Sequence, residues 1–209
     1  MTEIIFGSLL LSLIHASIPN HWLPLISIGK AENWTLRQTQ FATLVTGFAH
    51  TLSTLAIGII VGYAGVRLSE MFHNSIQQVA AILLIILGIV YIVMETLHNH
   101  SHEHNHNIQE INQKGKSMWP VIGTLSLAMF FTPCVEIEAY YFRASVIGWT
   151  GILIVSIVYV AVTVCIMLFF TYLGFKGVRK IRLHFLEHHE KSINGIILIA
   201  LGIFAFFYH

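Results

Sequence analysis

The sequence predicts an all-helical, polytopic membrane protein with six transmembrane helices. They form two inverted three-helix repeats, with breaks in the first and fourth helices. Two observations predict this class. Of the 209 residues, 56% are hydrophobic and only 10% are charged, and the mean hydropathy is +0.74, which is typical of polytopic membrane proteins and excludes an ordinary soluble domain. The chain also contains an internal repeat that includes two prolines.

Six continuous apolar segments have about the length that a helix needs to cross a bilayer, which is about 20 residues. Helices are expected because they satisfy every backbone hydrogen bond internally in lipid. The N-terminus lacks the positive region of a cleaved signal, so we expect the first segment to be retained. The segments are roughly residues 4–28, 40–63, 76–97, 118–142, 146–175 and 193–208.

An offset of 114 residues relates the two halves of the chain. It superimposes the similar segments 82–89 and 196–203, and it superimposes Pro19 on Pro133. Three helices per repeat is an odd number, so the second repeat is expected to be inverted, with the substrate site near the midplane where the broken helices meet. The predicted organisation is a first repeat over residues 1–97, a histidine-rich loop over 98–117 and a second repeat over 118–209.

Basic residues predict the orientation of the chain. Nine of the eleven lysines and arginines lie in the loops after the first, third and fifth segments, and only Arg67 and Arg143 lie on the opposite side. Because cytoplasmic loops carry the excess of basic residues, both termini are expected outside and the histidine-rich loop in the cytoplasm. We expect the protein in the cell (inner) membrane.

Polar side chains within the first segment indicate a functional site. His15, Asn20 and His21 surround Pro19 at the expected depth of the bilayer, where polar groups usually mark a substrate or ion path. On an unbroken helix the two histidines would point about 120° apart. Because Pro19 cannot donate to the carbonyl of His15, we expect local unwinding that lets both imidazoles face one ion. Hydrogen-bonded core histidines are the alternative.

Further candidate ligands lie in the second, third and fourth segments. His50 lies among small and hydroxyl residues, and imidazole suits nickel, cobalt, zinc and copper. Glu136 follows Pro133 and could bind metal, carry protons or pair with Arg143. Cys134 is a candidate ligand, a redox thiol or a small buried residue. The remaining intramembrane candidates are Glu138, at the end of the fourth segment, and Glu95, at the end of the third.

The loop between the halves has a metal-binding composition. Histidine occupies every second position, so an extended chain would present these side chains on one side. We expect this loop to capture metal, and a solvated spacer is the alternative. The histidines are His98, His100, His102, His104 and His106.

These motifs resemble those of the nickel/cobalt transporter superfamily. The pattern His15-x4-Asn20-His21 is similar to the family's His-x4-Asp-His motif, and residues 47–51 resemble its second-helix motif around a histidine. Residues 132–134 resemble the Pro-Cys of the exporter branch, which also has six helices and a cytoplasmic histidine-rich loop.

The resemblance implies that the metal in transit binds to four residues, which are His15, Asn20, His21 and His50. Asn20 stands where the family has aspartate. We therefore expect Glu136, from the opposite repeat, to supply the missing carboxylate.

The sequence thus predicts a transporter of a divalent transition metal ion, nickel or cobalt first and zinc or iron next, working as an exporter rather than an importer. A membrane enzyme, either metal-dependent or a thiol–disulfide shuttle, stays open. So does an exporter of small anions or metabolites, for which only Arg143 offers a basic group. The expected partners are the lipid bilayer and the metal ion. Assembly into a homo-oligomer is compatible with the sequence, and no basic patch indicates nucleic acid binding.

Overall fold

The computed structural model describes residues 1–71, 76–98, 117–177 and 190–207. Within these ranges it contains eight helices and no strand, which confirms the predicted all-helical class. The helices are α1 (Thr2–Ser17), α2 (Pro19–Ala31), α3 (Leu36–Met71), α4 (Ile76–His98), α5 (Met118–Phe130), α6 (Val135–Ser145), α7 (Trp149–Phe175) and α8 (Glu190–Phe207).

Among the described residues, three stretches are long and apolar enough to cross a membrane, namely Thr2–Ala31, Leu36–Ser69 and Trp149–Phe175. The first of them comprises α1 and α2 together. The apolar parts of the other helices are shorter, and they cover Gln78–Met94, Met118–Phe130 and Ser192–Phe204. The helix lengths and composition are therefore those of a membrane protein.

Two of the four prolines, Pro19 and Pro133, lie at helix interruptions. Ile18 has an extended backbone (φ −68°, ψ 135°) between α1 and α2, and Pro19 is the first residue of α2. The backbone N–H of the first helical residue makes no intrahelical hydrogen bond, so a proline at this position costs none. In the second half, Pro133 lies between α5 and α6, and Cys134 is extended (φ −83°, ψ 106°) immediately before α6 begins.

The bundle has two ends, each defined here by a contact between distant parts of the chain. At the Lys30 end, Lys30 Nζ donates a hydrogen bond to the Gly174 carbonyl oxygen at 3.5 Å. At the Glu3 end, Arg143 Nη2 lies 3.8 Å from Glu3 Oε2. Aromatic pairs, which favour membrane interfaces, lie at both ends: Phe41 with Trp119 at the Lys30 end, and Tyr63 with Trp149 at the Glu3 end.

Helices α4 and α8 form the most extensive interhelical contact among the described elements. Gly88 of α4 faces the backbone of Gly195 in α8, and a Cβ atom at Gly88 would lie only 2.5 Å from that carbonyl oxygen. Gly202 of α8 faces the backbone of Ala81 in α4 in the same way. Small residues let the two backbones approach closely, which is how helices commonly associate in lipid.

Helix α2 packs on α7 through an aromatic contact. The buried indole of Trp22 stacks on the Phe170 ring, with centroids 5.2 Å apart and planes 12° apart. Ile26, one turn further along α2, lies against Gly174. These contacts position α2, and therefore His21, relative to α7.

Candidate metal centre

Four side chains, from α1, α2, α3 and the residue before α6, meet in the interior at the two breaks. Their potential ligand atoms all lie within 4.8 Å of one another, and all four side chains are buried. We call this group the His/Cys cluster, and it consists of His15, His21, His50 and Cys134. Three imidazoles and one thiol could hold a metal ion.

The break at Pro19 brings the first two histidines together. His15 lies in the last turn of α1 and His21 in the first turn of α2. Their ring centroids are 4.6 Å apart, whereas a continuous helix would point the rings about 120° apart. The extended residue Ile18 therefore creates this half of the cluster.

His50 reaches the cluster from the middle of α3, and its hydrogen bonds identify which ring nitrogen carries the lone pair. Its Nδ1 lies 3.2 Å from the Met129 carbonyl oxygen. Because a carbonyl only accepts hydrogen bonds, Nδ1 carries the proton. In neutral His50 the lone pair is then on Nε2, which lies 3.0 Å from the Cys134 sulfur.

His15 has a carboxylate on the side facing away from the sulfur. Its Nε2 lies 2.7 Å from the Cys134 sulfur, while its Nδ1 lies 4.0 Å from Glu136 Oε2. The other oxygen of Glu136 accepts a hydrogen bond from Asn194 Nδ2 at 3.0 Å. A carboxylate behind a histidine is the usual outer partner of a metal-binding imidazole, because it fixes the ring and favours a lone pair on the opposite nitrogen.

The Cys134 sulfur is held in place from both sides. The Tyr159 hydroxyl of α7 donates to it at 3.1 Å. The Cys134 backbone N–H donates to Thr54 Oγ1 at 3.1 Å, and that hydroxyl in turn donates to the His50 carbonyl oxygen at 3.2 Å. Cys134 also directly precedes the first turn of α6.

The cluster contains buried polar atoms that its hydrogen bonds do not satisfy. His15 Nδ1, 4.0 Å from Glu136 Oε2, has no hydrogen-bond partner among the described residues. His21 Nε2 is buried and has no hydrogen-bond partner among the described residues. Because unpartnered buried polar atoms are costly, a cation bound at the centre would satisfy all four groups at once.

A cavity of about 460 Å³ gives access to the cluster from one side. It extends into the half of the bundle that leads to the Lys30 end, because its wall includes Pro24 in α2, Tyr91 in α4 and Leu125 in α5. Three cluster members line it, namely His15, His21 and Cys134. An ion could therefore exchange with the cluster through this cavity.

The other sequence-predicted residues lie at different distances from the cluster. Asn20 is exposed on the cavity wall, and Glu136 lines the cavity and faces His15. Glu138 is buried, lies outside the cluster, and has no hydrogen-bond partner for either carboxylate oxygen among the described residues. Glu95 belongs to α4, but its side chain is outside the described part.

The predicted metal-capture loop lies almost wholly beyond the described residues. His98 is the last residue of α4, with its side chain outside the described part, and residues 99–116 are not described. The loop histidines concerned are His100, His102, His104 and His106.

Three residues around the cluster were not among the sequence candidates. Thr54 and Tyr159 contact Cys134, and Asn194 binds Glu136. The sequence alone could have indicated Asn194 and Tyr159, because a polar group in an otherwise apolar span costs free energy unless it has a partner. No comparable signal distinguishes Thr54 from the many hydroxyl residues of α3.

The chain matches no protein-family model, no curated protein and no solved structure.

Proposed function

We propose that the protein transports a divalent transition metal ion across a membrane through the His/Cys cluster. The observation that carries this proposal is a buried set of four metal-type donors that a cavity reaches from the Lys30 half of the bundle. A purely structural metal site needs no access path. A transport site must exchange its ion, and the cavity that reaches His15, His21 and Cys134 supports such exchange.

Closure at the Glu3 end supports the same proposal. Helix α6 fits tightly against its neighbours there, since the Tyr140 ring lies against Gly7 and the Tyr141 ring against Gly58. The Tyr140 hydroxyl also donates to the Glu3 carbonyl oxygen at 2.9 Å. Together with the Glu3–Arg143 pair, these contacts separate the cluster from the Glu3 end. One open and one closed path is the arrangement that alternating access requires.

An inverted repeat would explain how the closed and open ends exchange. The 114-residue offset relates α1 and α2 to α5 and α6, α3 to α7, and α4 to α8, with both breaks in register. The contacts between α4 and α8 obey the same offset. Gly88 corresponds to Gly202 and Gly195 corresponds to Ala81, so the Gly88–Gly195 contact corresponds to the Gly202–Ala81 contact. Contacts that map onto themselves in this way are typical of a two-fold relationship.

The two repeats differ in one respect, and this difference supports a conformational change. Under the offset, the α6–α3 contact corresponds to the α2–α7 contact. Helix α6 packs on α3 more extensively than α2 packs on α7. If the repeats exchange these arrangements, α2 closes on α7 while α6 opens from α3, and the cluster becomes accessible from the Glu3 end.

Direction follows from the charge distribution. In the proposed six-span topology the Lys30 end is cytoplasmic, because it carries most of the lysines and arginines. The cavity then faces the cytoplasm, on the same side as the histidine-rich loop. We propose that the loop captures the ion, that the cluster receives it, and that it is released on the opposite side. This export scheme is the one that the resemblance to nickel/cobalt exporters also implies.

The direct test is metal flux into liposomes that contain the purified protein and a trapped metal-sensitive dye. We expect flux of Co²⁺ or Zn²⁺ with the native chain, and loss of flux with His21→Gln. His73→Gln, which changes a histidine that is not one of the four cluster residues, is the matched control and should keep the native rate. Native protein that binds metal but gives no flux above empty liposomes would overturn transport and leave a metal-dependent enzyme as the alternative.

A further inference from the structure

We infer that the transported ion is one that accepts tetrahedral coordination with a thiolate, namely Zn²⁺ or Co²⁺, and that Cys134 is a direct ligand that disfavours Ni²⁺. The inference rests on the proposed function and specifies the substrate of the same site. It departs from the nickel preference expected from the sequence motifs, because the fourth donor at the cluster is the sulfur of Cys134 and Asn20 lies on the cavity wall.

The donor types exclude hard cations. Mg²⁺, Ca²⁺ and Mn²⁺ favour oxygen ligands, whereas imidazole and thiolate suit zinc, cobalt and copper. The cluster offers three ring nitrogens and one sulfur, and the nearest carboxylate, that of Glu136, faces His15 Nδ1 from behind. One soft donor and three borderline donors define a site of the zinc type.

The geometry favours four-coordination. Zn–N bonds of about 2.0 Å and Zn–S bonds of about 2.3 Å at tetrahedral angles place ligand atoms about 3.3–3.6 Å apart. In the cluster the separations run from 2.7 Å, between His15 and Cys134, up to 4.8 Å. Side-chain shifts of about 1 Å therefore reach the tetrahedral arrangement, with all four positions filled by the protein.

Charge balance favours a divalent ion over Cu⁺. Three neutral imidazoles and one thiolate reduce the charge of a divalent ion to +1, and the Glu136 carboxylate beside His15 balances the remainder. With Cu⁺ the same groups would carry a net negative charge. Because an unbalanced buried charge is costly, the set of charged groups matches a divalent cargo.

Discrimination against Ni²⁺ follows from shape rather than from donor type. Raw affinity for nitrogen and sulfur ligands is higher for Ni²⁺ than for Co²⁺, so selection against nickel must come from geometry. Ni²⁺ favours square-planar coordination by nitrogen and oxygen or octahedral coordination, whereas the four donors here include a sulfur and come from four parts of the chain, α1, α2, α3 and the residue before α6. Zn²⁺ has no geometric preference from its d electrons.

Binding also has a proton balance that can be measured. The ion takes the place of the thiol proton, so one S–H bond breaks, one metal–sulfur bond forms and one proton leaves through the cavity. The three imidazoles bind through lone pairs and release none if they are neutral beforehand. We therefore expect about one proton released per ion bound, and about none in Cys134→Ser.

The test is the Co²⁺ complex of the purified full chain, studied by absorption spectroscopy with proton release measured in parallel. We expect the intense visible bands of tetrahedral Co²⁺ and a thiolate-to-cobalt charge-transfer band. Cys134→Ser should lose that band and the proton, whereas the matched variant Cys165→Ser should keep both. In competition, displacement of Co²⁺ should need at least about tenfold more Ni²⁺ than Zn²⁺.

Each outcome decides between the two proposals. If neither the native protein nor any variant binds Co²⁺, the proposal of metal transport is itself overturned. If native protein binds Co²⁺ with the weak bands of octahedral coordination, or if Cys134→Ser leaves the charge-transfer band unchanged, the metal site stands and the thiolate-ligated tetrahedral site is overturned. If Ni²⁺ displaces Co²⁺ as effectively as Zn²⁺ does, the proposed selectivity against Ni²⁺ is overturned.

Discussion

The imidazole of His15 faces the carboxylate of Glu136, with Nδ1 and Oε2 4.0 Å apart. Because the other ring nitrogen of His15 contacts the Cys134 sulfur, the carboxylate acts on the cluster through the histidine. Glu136 thus lies beside the four donors of the cluster rather than among them, and we propose that it positions His15. That Glu136 binds the metal directly stays a prediction from the sequence.

Replacing Glu136 by Gln should weaken metal binding without abolishing it. The amide keeps the hydrogen bond to Asn194 through its oxygen but removes the charge that stabilises the metal-bound imidazole. Loss of such an outer partner typically costs about 10–100-fold in metal affinity. Titration of the purified variant with Co²⁺ measures the change, and the charge-transfer band should persist. Complete loss of binding would instead identify Glu136 as a ligand.

Removing residues 99–106 should leave about one metal ion bound per chain. The cluster is formed by α1, α2, α3 and the start of α6, so it does not depend on the loop. Elemental analysis of native and shortened protein after removal of weakly bound metal gives the stoichiometry. Loss of all metal with the loop would show that the intramembrane histidines bind none, and would contradict the proposed transport site.

Substituting Arg143 by Gln should change the rate of transport while preserving metal affinity. The Glu3–Arg143 pair helps close the Glu3 end, and a partly buried ion pair is worth about 1 kcal/mol, or about a fivefold shift between open and closed states. Flux into liposomes and Co²⁺ titration measure the two quantities. Arg67→Gln, at the same end but paired with Tyr63, is the control. Equal rates in all three proteins would argue against this closure.

Adding a methyl group at Gly88 should destabilise the bundle by about 1–3 kcal/mol. The new Cβ would lie 2.5 Å from the backbone oxygen of Gly195, and backbone atoms cannot move aside cheaply. Gly123→Ala is the matched variant, because no atom lies within 4 Å of its new Cβ. It should gain up to about 1 kcal/mol from helix propensity. Unfolding in detergent compares them, and equal stabilities would contradict the close α4–α8 contact.

The helical class and the two breaks were predictable because composition and proline act locally. The meeting of His15 with His21 was predictable for the same reason, since it needs only an unwound residue between them. The position of Cys134 was harder to predict, because the spans are apolar on nearly all sides and their sequences do not show which face turns inward. The partners Tyr159 and Asn194 come from distant spans, and only the packing of α7 and α8 brings them to the site.

The stacking of Trp22 on Phe170 gives the protein an internal optical reporter. Trp22 is the residue after His21 and is buried, whereas Trp119 and Trp149 are exposed at the two ends of the bundle. An open-shell ion held by His21 would quench the emission of the nearby indole, and a closed-shell ion would not. Co²⁺ and Zn²⁺ should therefore occupy the same cluster with opposite fluorescence signatures, readable in the unlabelled native chain.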